Sequence, residues 1–154
     1  MIRITKQSDY GIVLMTRLAS EPQELHTAAE LAHEAQLPAP TVSKILKLLA
    51  RGGLLESHRG VKGGYSLSRS PESISMAEII GALEGPIAIT ECIEDAPGEC
   101  SQEPFCGVRG NWQRINLAIR QALEAISLAE MTEPLERLVT IGRRPLGQSV
   151  EPPS

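Results

Sequence analysis

The apolar positions of this chain change period several times, and each change marks an element. Over residues 8–20, "SDYGIVLMTRLAS", Tyr10, Val13, Leu14 and Leu18 fall on one helical face with Met15 at its margin. Ser8 is the expected cap, Glu21-Pro22 the stop, and Ile12 points toward a second surface. "HTAAELAHEAQLPAP" predicts a second helix, opened by a capping box of Thr27 with Glu30 and halted before Pro38. Its expected inner face is Ala29, Leu31 and Ala32, small enough for a neighbouring helix to approach closely. A third helix starts near Pro40, buries Val42, Ile45, Leu46 and Leu49, and ends at Gly52-Gly53. Two short helices joined this tightly read as a helix-turn-helix.

The period then shortens. Leu54-Leu55 and Tyr65 with Leu67 predict two short strands around a turn rich in Gly, Arg and Lys, in the place of a wing. Ser75 with Glu78 caps a further helix with Met76, Ile79, Ile80 and Leu83 inward, closed by Gly85-Pro86. Residues 108–128 predict the longest helix: Trp112, Ile115, Ile119, Ala122, Ile126 and Ala129 recur at alternating steps of three and four, a seam that asks for a copy of itself. "TEPLERLVTIG" predicts a short final helix, and "RRPLGQSVEPPS" has the composition of a disordered tail. The fold class is therefore mainly α, a winged helix-turn-helix with a long dimerisation helix. The expected domains are 1–85 for DNA binding (wing about 54–68), 86–107 for a cysteine loop, 108–141 for dimerisation and a short last helix, and 142–154 for the tail.

Charge sharpens the division. The net charge of −4 is unevenly spread: residues 1–70 hold nine Lys/Arg against six Asp/Glu, residues 71–111 hold one against eight, and residues 112–154 balance at five each. A basic first part suits an anionic partner. In a helix-turn-helix the start of the second helix meets base edges, which selects Thr41, Ser43 and Lys44, with Lys47 and Arg51 further along toward phosphate. In the wing, Arg59, Lys62 and Tyr65 sit around Gly60, Gly63 and Gly64, a thin backbone suited to a minor groove. The bland alternatives are a solvated helix face and a glycine turn with incidental bases. With no leader peptide and no apolar run of membrane length, the expectation is a soluble cytoplasmic protein without a membrane partner. No paired carboxylates, nucleophile–base arrangement or phosphate loop stands out, so neither an enzyme nor a small-molecule substrate is expected.

All three cysteines, Cys92, Cys100 and Cys106, lie in "ECIEDAPGECSQEPFCG", spaced C-x7-C-x5-C. Structural zinc sites favour tighter knuckles, and a disulfide leaves one thiol over. Three thiolates with one outside donor can hold an iron–sulfur cluster. Glu91, Glu94, Asp95, Glu99 and Glu103 would repel thiolates, a repulsion that a positively charged core relieves. On the residues alone, cluster, zinc and thiol switch all stay open.

Several stretches together resemble the iron–sulfur-dependent winged-helix repressors typified by IscR, NsrR and RirA, and most of all the regulators of SUF-system cluster assembly. They are "IRITKQSDYGIVLMTRLA", "RGVKGGYSLSR", "ISMAEIIGALEGPIAITEC", the cysteine loop and the helix after it, over roughly residues 1–135. The resemblance implies a homodimer that binds double-stranded DNA, with Cys92, Cys100 and Cys106 on the three ligand positions of a 2Fe–2S or 4Fe–4S cluster. It implies further that cluster state controls promoter binding, in a regulator, by expectation a repressor, of iron–sulfur assembly genes. The IscR-type histidine three places after the last cysteine is Arg109 here, which cannot serve. The NsrR-type aspartate, donated by the opposite protomer, aligns with Asp9. The competing expectation is a zinc-bound or thiol-switched winged helix that serves chiefly as a protein-partner module.

Overall fold

A computed structural model describes residues 3–90 and 105–133. Cys92, Cys100, the acidic residues between 91 and 103, most of the expected last helix and the tail lie outside the described residues.

The first helix, α1 (Lys6–Ser20), begins two residues before the expected cap. Thr5 caps it, its hydroxyl accepting the Ser8 amide at 3.1 Å. Ser8 is buried instead, and its hydroxyl donates to Glu84 Oε1 at 3.1 Å. The apolar face is also rotated. Gly11, Leu14, Met15 and Leu18 are buried, while Val13 stays 38% exposed. A Cβ on Gly11 would lie 2.2 Å from Leu83 Cδ1, so the face is centred on a residue with no side chain to register in a hydrophobic pattern. Ile12, half-buried, packs against the edge of the core.

α2 (Ala28–Ala35) opens with the complete capping box. The Glu30 amide donates to Thr27 Oγ1 at 3.2 Å, and the Thr27 amide donates to Glu30 Oε2 at 2.8 Å. Leu31 and Ala32 are buried with Ala28 and Ala35 beside them, whereas Ala29 is exposed, one position off the inner face expected for it. α3 (Ala39–Arg51) carries Pro40 in its first turn and buries Val42, Ile45, Leu46 and Leu49 as its spacing requires. Gly53, at φ +77°, turns the chain out of it. β1 (Leu55–His58) and β2 (Gly64–Leu67) form an antiparallel ribbon with Leu55 opposite Leu67 and His58 opposite Gly64. α4 (Met76–Glu84) has the Ser75–Glu78 capping box and buries Met76, Ile79 and Leu83.

The C-terminal part differs from the single long helix expected over 108–128. α5 (Arg109–Glu124) stops at Ala125, and Ser127 caps a separate five-residue α6 (Leu128–Thr132) with a third capping box. Ile126 and Ala129 therefore do not continue the seam of α5. The cause is tertiary: residues 126–128 return to the head and pair with residues 74–76. The Met76 amide donates to the Ile126 carbonyl at 2.9 Å, and the Leu128 amide to the Ile74 carbonyl at 2.8 Å. Leu128 then enters the core, fully buried, and α6 packs on α1. One aliphatic core joins α1, α2, α3, α4, α6 and the base of the ribbon. α5 lies at its edge, touching it through the half-buried Leu123, with Asn116 its single buried residue. Among the described residues, no helix is long and apolar enough to cross a membrane.

Candidate nucleic-acid interface and metal centre

The burial of Val42, Ile45, Leu46 and Leu49 dictates the other side of α3. Thr41 and Ser43 are half-buried at its start, and Lys44, Lys47 and Arg51 are exposed along it. The wing grows straight out of this helix. The Leu54 amide donates to the Leu49 carbonyl at 3.0 Å, and the Ser68 hydroxyl closes the base of the ribbon by donating to the Gly53 carbonyl at 2.7 Å. At the far end, Arg59 and Lys62 are exposed around Val61, which is open to solvent on all sides. Among the described residues, Lys44, Lys47, Arg51, Arg59 and Lys62 have no ion-pair partner. Arg69, by contrast, is spent internally on Glu78. That contact helps hold the Glu78 carboxyl below the usual range. Burial pushes the group up, but the bonds from Arg69 and from the Ser75 amide and hydroxyl outweigh it.

The glycines of the wing have an intramolecular reason. A Cβ on Gly63 would lie 2.4 Å from the His58 carbonyl oxygen, and one on Gly64 would lie 2.7 Å from that of His26. Tyr65 is half-buried against the core, and its backbone makes a bridge with His26: Tyr65 donates at 2.8 Å and accepts at 3.0 Å. The wing is thus tied to the corner before α2, a third strand-like contact that no periodicity around His26 announces.

Of the expected metal ligands, Cys106 and Asp9 are described. Cys106 is a free, half-buried thiol just ahead of α5, its carbonyl accepting the Arg109 amide at 3.3 Å. Asp9 is exposed on the first turn of α1. That turn is stitched to the end of α4: Thr5 and Ser8 both donate to Glu84, and Gln7 Nε2 donates to the Leu83 carbonyl at 2.7 Å. From α4 the chain runs toward Cys92 through residues 85–90, and here Asn116 intervenes. Its side chain donates to the Ile87 carbonyl at 2.9 Å and accepts the Ile89 amide at 3.2 Å. The approach to the cysteine loop is therefore clamped to α5, by a residue that a hydrophobic seam passes over. In donor chemistry, three thiols and a carboxylate suit an iron–sulfur cluster, and a free thiol at Cys106 is compatible with it.

Residues 4–134 match the model of the Rrf2 family, described as iron-dependent transcriptional regulators. Among curated proteins, the HTH-type transcriptional regulator CymR of Bacillus subtilis is 31% identical over 131 residues, 84% of this chain and 89% of its own. The HTH-type transcriptional regulator NsrR of the same organism is 26% identical over 141 residues, 91% of this chain and 97% of its own. Among solved structures, CymR, the global cysteine regulator of B. subtilis, superposes with a TM-score of 0.68 at 29% identity, covering 86% of this chain and 97% of that one. IscR of T. potens gives a TM-score of 0.65 at 24% identity over 96% of this chain and 94% of that one, a likeness of fold.

Proposed function

This chain belongs to the Rrf2 family of helix-turn-helix transcriptional regulators, and from that premise we propose that it is a homodimeric repressor of iron–sulfur assembly genes, responding to cluster supply, iron or oxidants through a labile iron–sulfur cluster. The observation that carries the DNA part is the run of exposed cations on α3 and the wing, without ion-pair partners among the described residues. Such charges release counterions on meeting phosphate. In this reading Thr41, Ser43 and Lys44 face base edges, and Lys47 meets phosphate. Arg59 and Lys62 reach the adjacent groove, while Gly63, Gly64 and Tyr65 shape the wing that carries them. A dimer then reads half-sites roughly 34–36 Å apart, one helical turn.

Cys92, Cys100 and Cys106 would hold the cluster, with Asp9 of the opposite protomer as fourth donor. A cluster bound there would supply irons whose terminal sites need donors from the protein, the role these four side chains would fill. The chain's own part is mechanical. Residues 85–90 join the ligand loop to α4, and Asn116 joins the same segment to α5. A group held by those donors would thereby favour one placement of α5, and with it one spacing of the two heads. A ligand shifts such an equilibrium only by binding one arrangement better.

The test is anaerobic purification with iron and sulfide counted per chain, followed by operator binding of the loaded and stripped forms. Cys→Ala at Cys92, Cys100 or Cys106 is expected to abolish the visible bands, keep the helicity, and give the operator affinity of stripped protein. Normal bands in all three variants would refute the ligand assignment.

A second reading is a zinc-bound or thiol-switched regulator that acts chiefly through a protein partner. It is favoured by the similarity to CymR, a protein described as a cysteine regulator. Colourless anaerobic protein with one zinc per chain would select it.

A further inference from the structure

The corner between α1 and α2 holds three polar side chains that the function above does not use. Glu21 is the C-cap residue of α1, and Glu24 follows a tight turn closed by its amide donating to the Glu21 carbonyl at 3.0 Å. His26 precedes Thr27, the cap of α2. Both glutamates are exposed, but the His26 side chain is only 9% exposed. Its Nε2 is buried and has no hydrogen-bond partner among the described residues. Glu21 Oε2 stands 4.0 Å from that nitrogen, beyond hydrogen-bonding reach. One donor atom from each of Glu21, Glu24 and His26 lies within 4.8 Å of the other two.

A buried ring nitrogen without a partner, facing carboxylates that stand off from it, is an unfinished arrangement. Bonds of about 2.0–2.2 Å from imidazole nitrogen and carboxylate oxygen put two donors of one ion roughly 3–4 Å apart. The 4.0 Å gap is of that size, and the exposed Glu24 side chain can close the remainder by rotation. We propose that Glu21, Glu24 and His26 form a binding site for one divalent first-row transition-metal ion, with water completing its shell. The imidazole selects for that class over magnesium and calcium, which take oxygen donors. The main chain of His26 is already paired with Tyr65 of the wing, so an ion on its ring braces the corner from which the wing is held.

The probe is Mn²⁺, which prefers nitrogen and oxygen donors to thiolate and so leaves the cysteine loop aside. Full-length protein is titrated anaerobically, and the loss of the free-ion electron paramagnetic resonance signal is followed. One Mn²⁺ per chain is expected. Binding should weaken at least tenfold in His26→Gln and in Glu21→Gln/Glu24→Gln, and stay unchanged in Cys106→Ser. Glu24→Gln alone, at an exposed side chain that packing does not need, should also weaken it tenfold. No binding at millimolar Mn²⁺, or equal affinity in wild type and Glu24→Gln, overturns the proposal.

Discussion

Asn116, 7% exposed on a helix whose other residues are exposed or half-buried, holds one carbonyl and one amide of the chain that leads to the cysteines. Its side chain is the partner of two backbone groups in a segment that forms neither helix nor strand, and a side chain without polar atoms would leave both unmet. A fully buried group left unpaired costs about 1–3 kcal/mol; Ile87 and Ile89 are half-buried, so Asn116→Leu is expected to lower stability by the low end of that range. Urea unfolding gives the size of the loss. Hydrogen exchange should also show the Ile89 amide opening faster than neighbouring core amides, and unchanged protection there would remove the clamp from the account. No pattern of apolar residues points to Asn116, because its partners are main-chain atoms 27 and 29 positions away. Gly11 is hidden for the opposite reason: what matters there is a missing Cβ.

At the scale of elements, three helices start the same way. Thr27–Glu30, Ser75–Glu78 and Ser127–Glu130 are complete capping boxes, and all three glutamate carboxyls sit below their ordinary range. For Glu30 and Glu130 the main cause is the cap residue's amide, joined by its hydroxyl. An acid whose folded-state value is depressed contributes stability that is present above the unfolded value, about 4.3 for Glu. That contribution is lost as pH falls through the lower folded-state value. Glu130→Gln should therefore be less stable than wild type near neutrality, and the gap should shrink as pH drops below about 4. Urea midpoints along the acid limb check this, and a gap constant with pH would contradict it. The first two boxes are legible as S/T-x-x-E before an apolar run. The third, "SLAE", obeys the same rule, yet it sits inside a spacing of threes and fours that reads as continuous helix. Return of the chain to residues 74–76 settles that conflict in favour of the cap.

For the whole molecule, α5 is the exposed element. Trp112 and Ile115 are 38% and 44% exposed, and Leu117 is 51% exposed. With Ile119 and Ala122, the first two form the part of the seam that survives, and nothing among the described residues covers it fully. A second copy is the cover that a heptad spacing asks for. Ile115→Glu is expected to turn dimer into monomer in sedimentation, to leave thermal unfolding of the head nearly unchanged, and to weaken operator binding by removing one of two heads. Persistent dimer in that variant would move the interface off α5.

The chain's order of elements follows from local causes, and those are written in consecutive residues. A cap hydroxyl, a proline in a first turn, a left-handed glycine and an apolar period each act over a few positions. That is why α2, α3, the wing and α4 lie where their patterns put them. The basic face of α3 was equally legible, since burying Val42, Ile45, Leu46 and Leu49 leaves Lys44, Lys47 and Arg51 nowhere to go but out. Tertiary structure decided the rest: the face of α1 that Leu83 meets, the break before α6, the clamp of Asn116 and the seat of the wing on His26. Each of these joins positions far apart in sequence through a backbone group or an absent side chain, and such contacts leave no period to read.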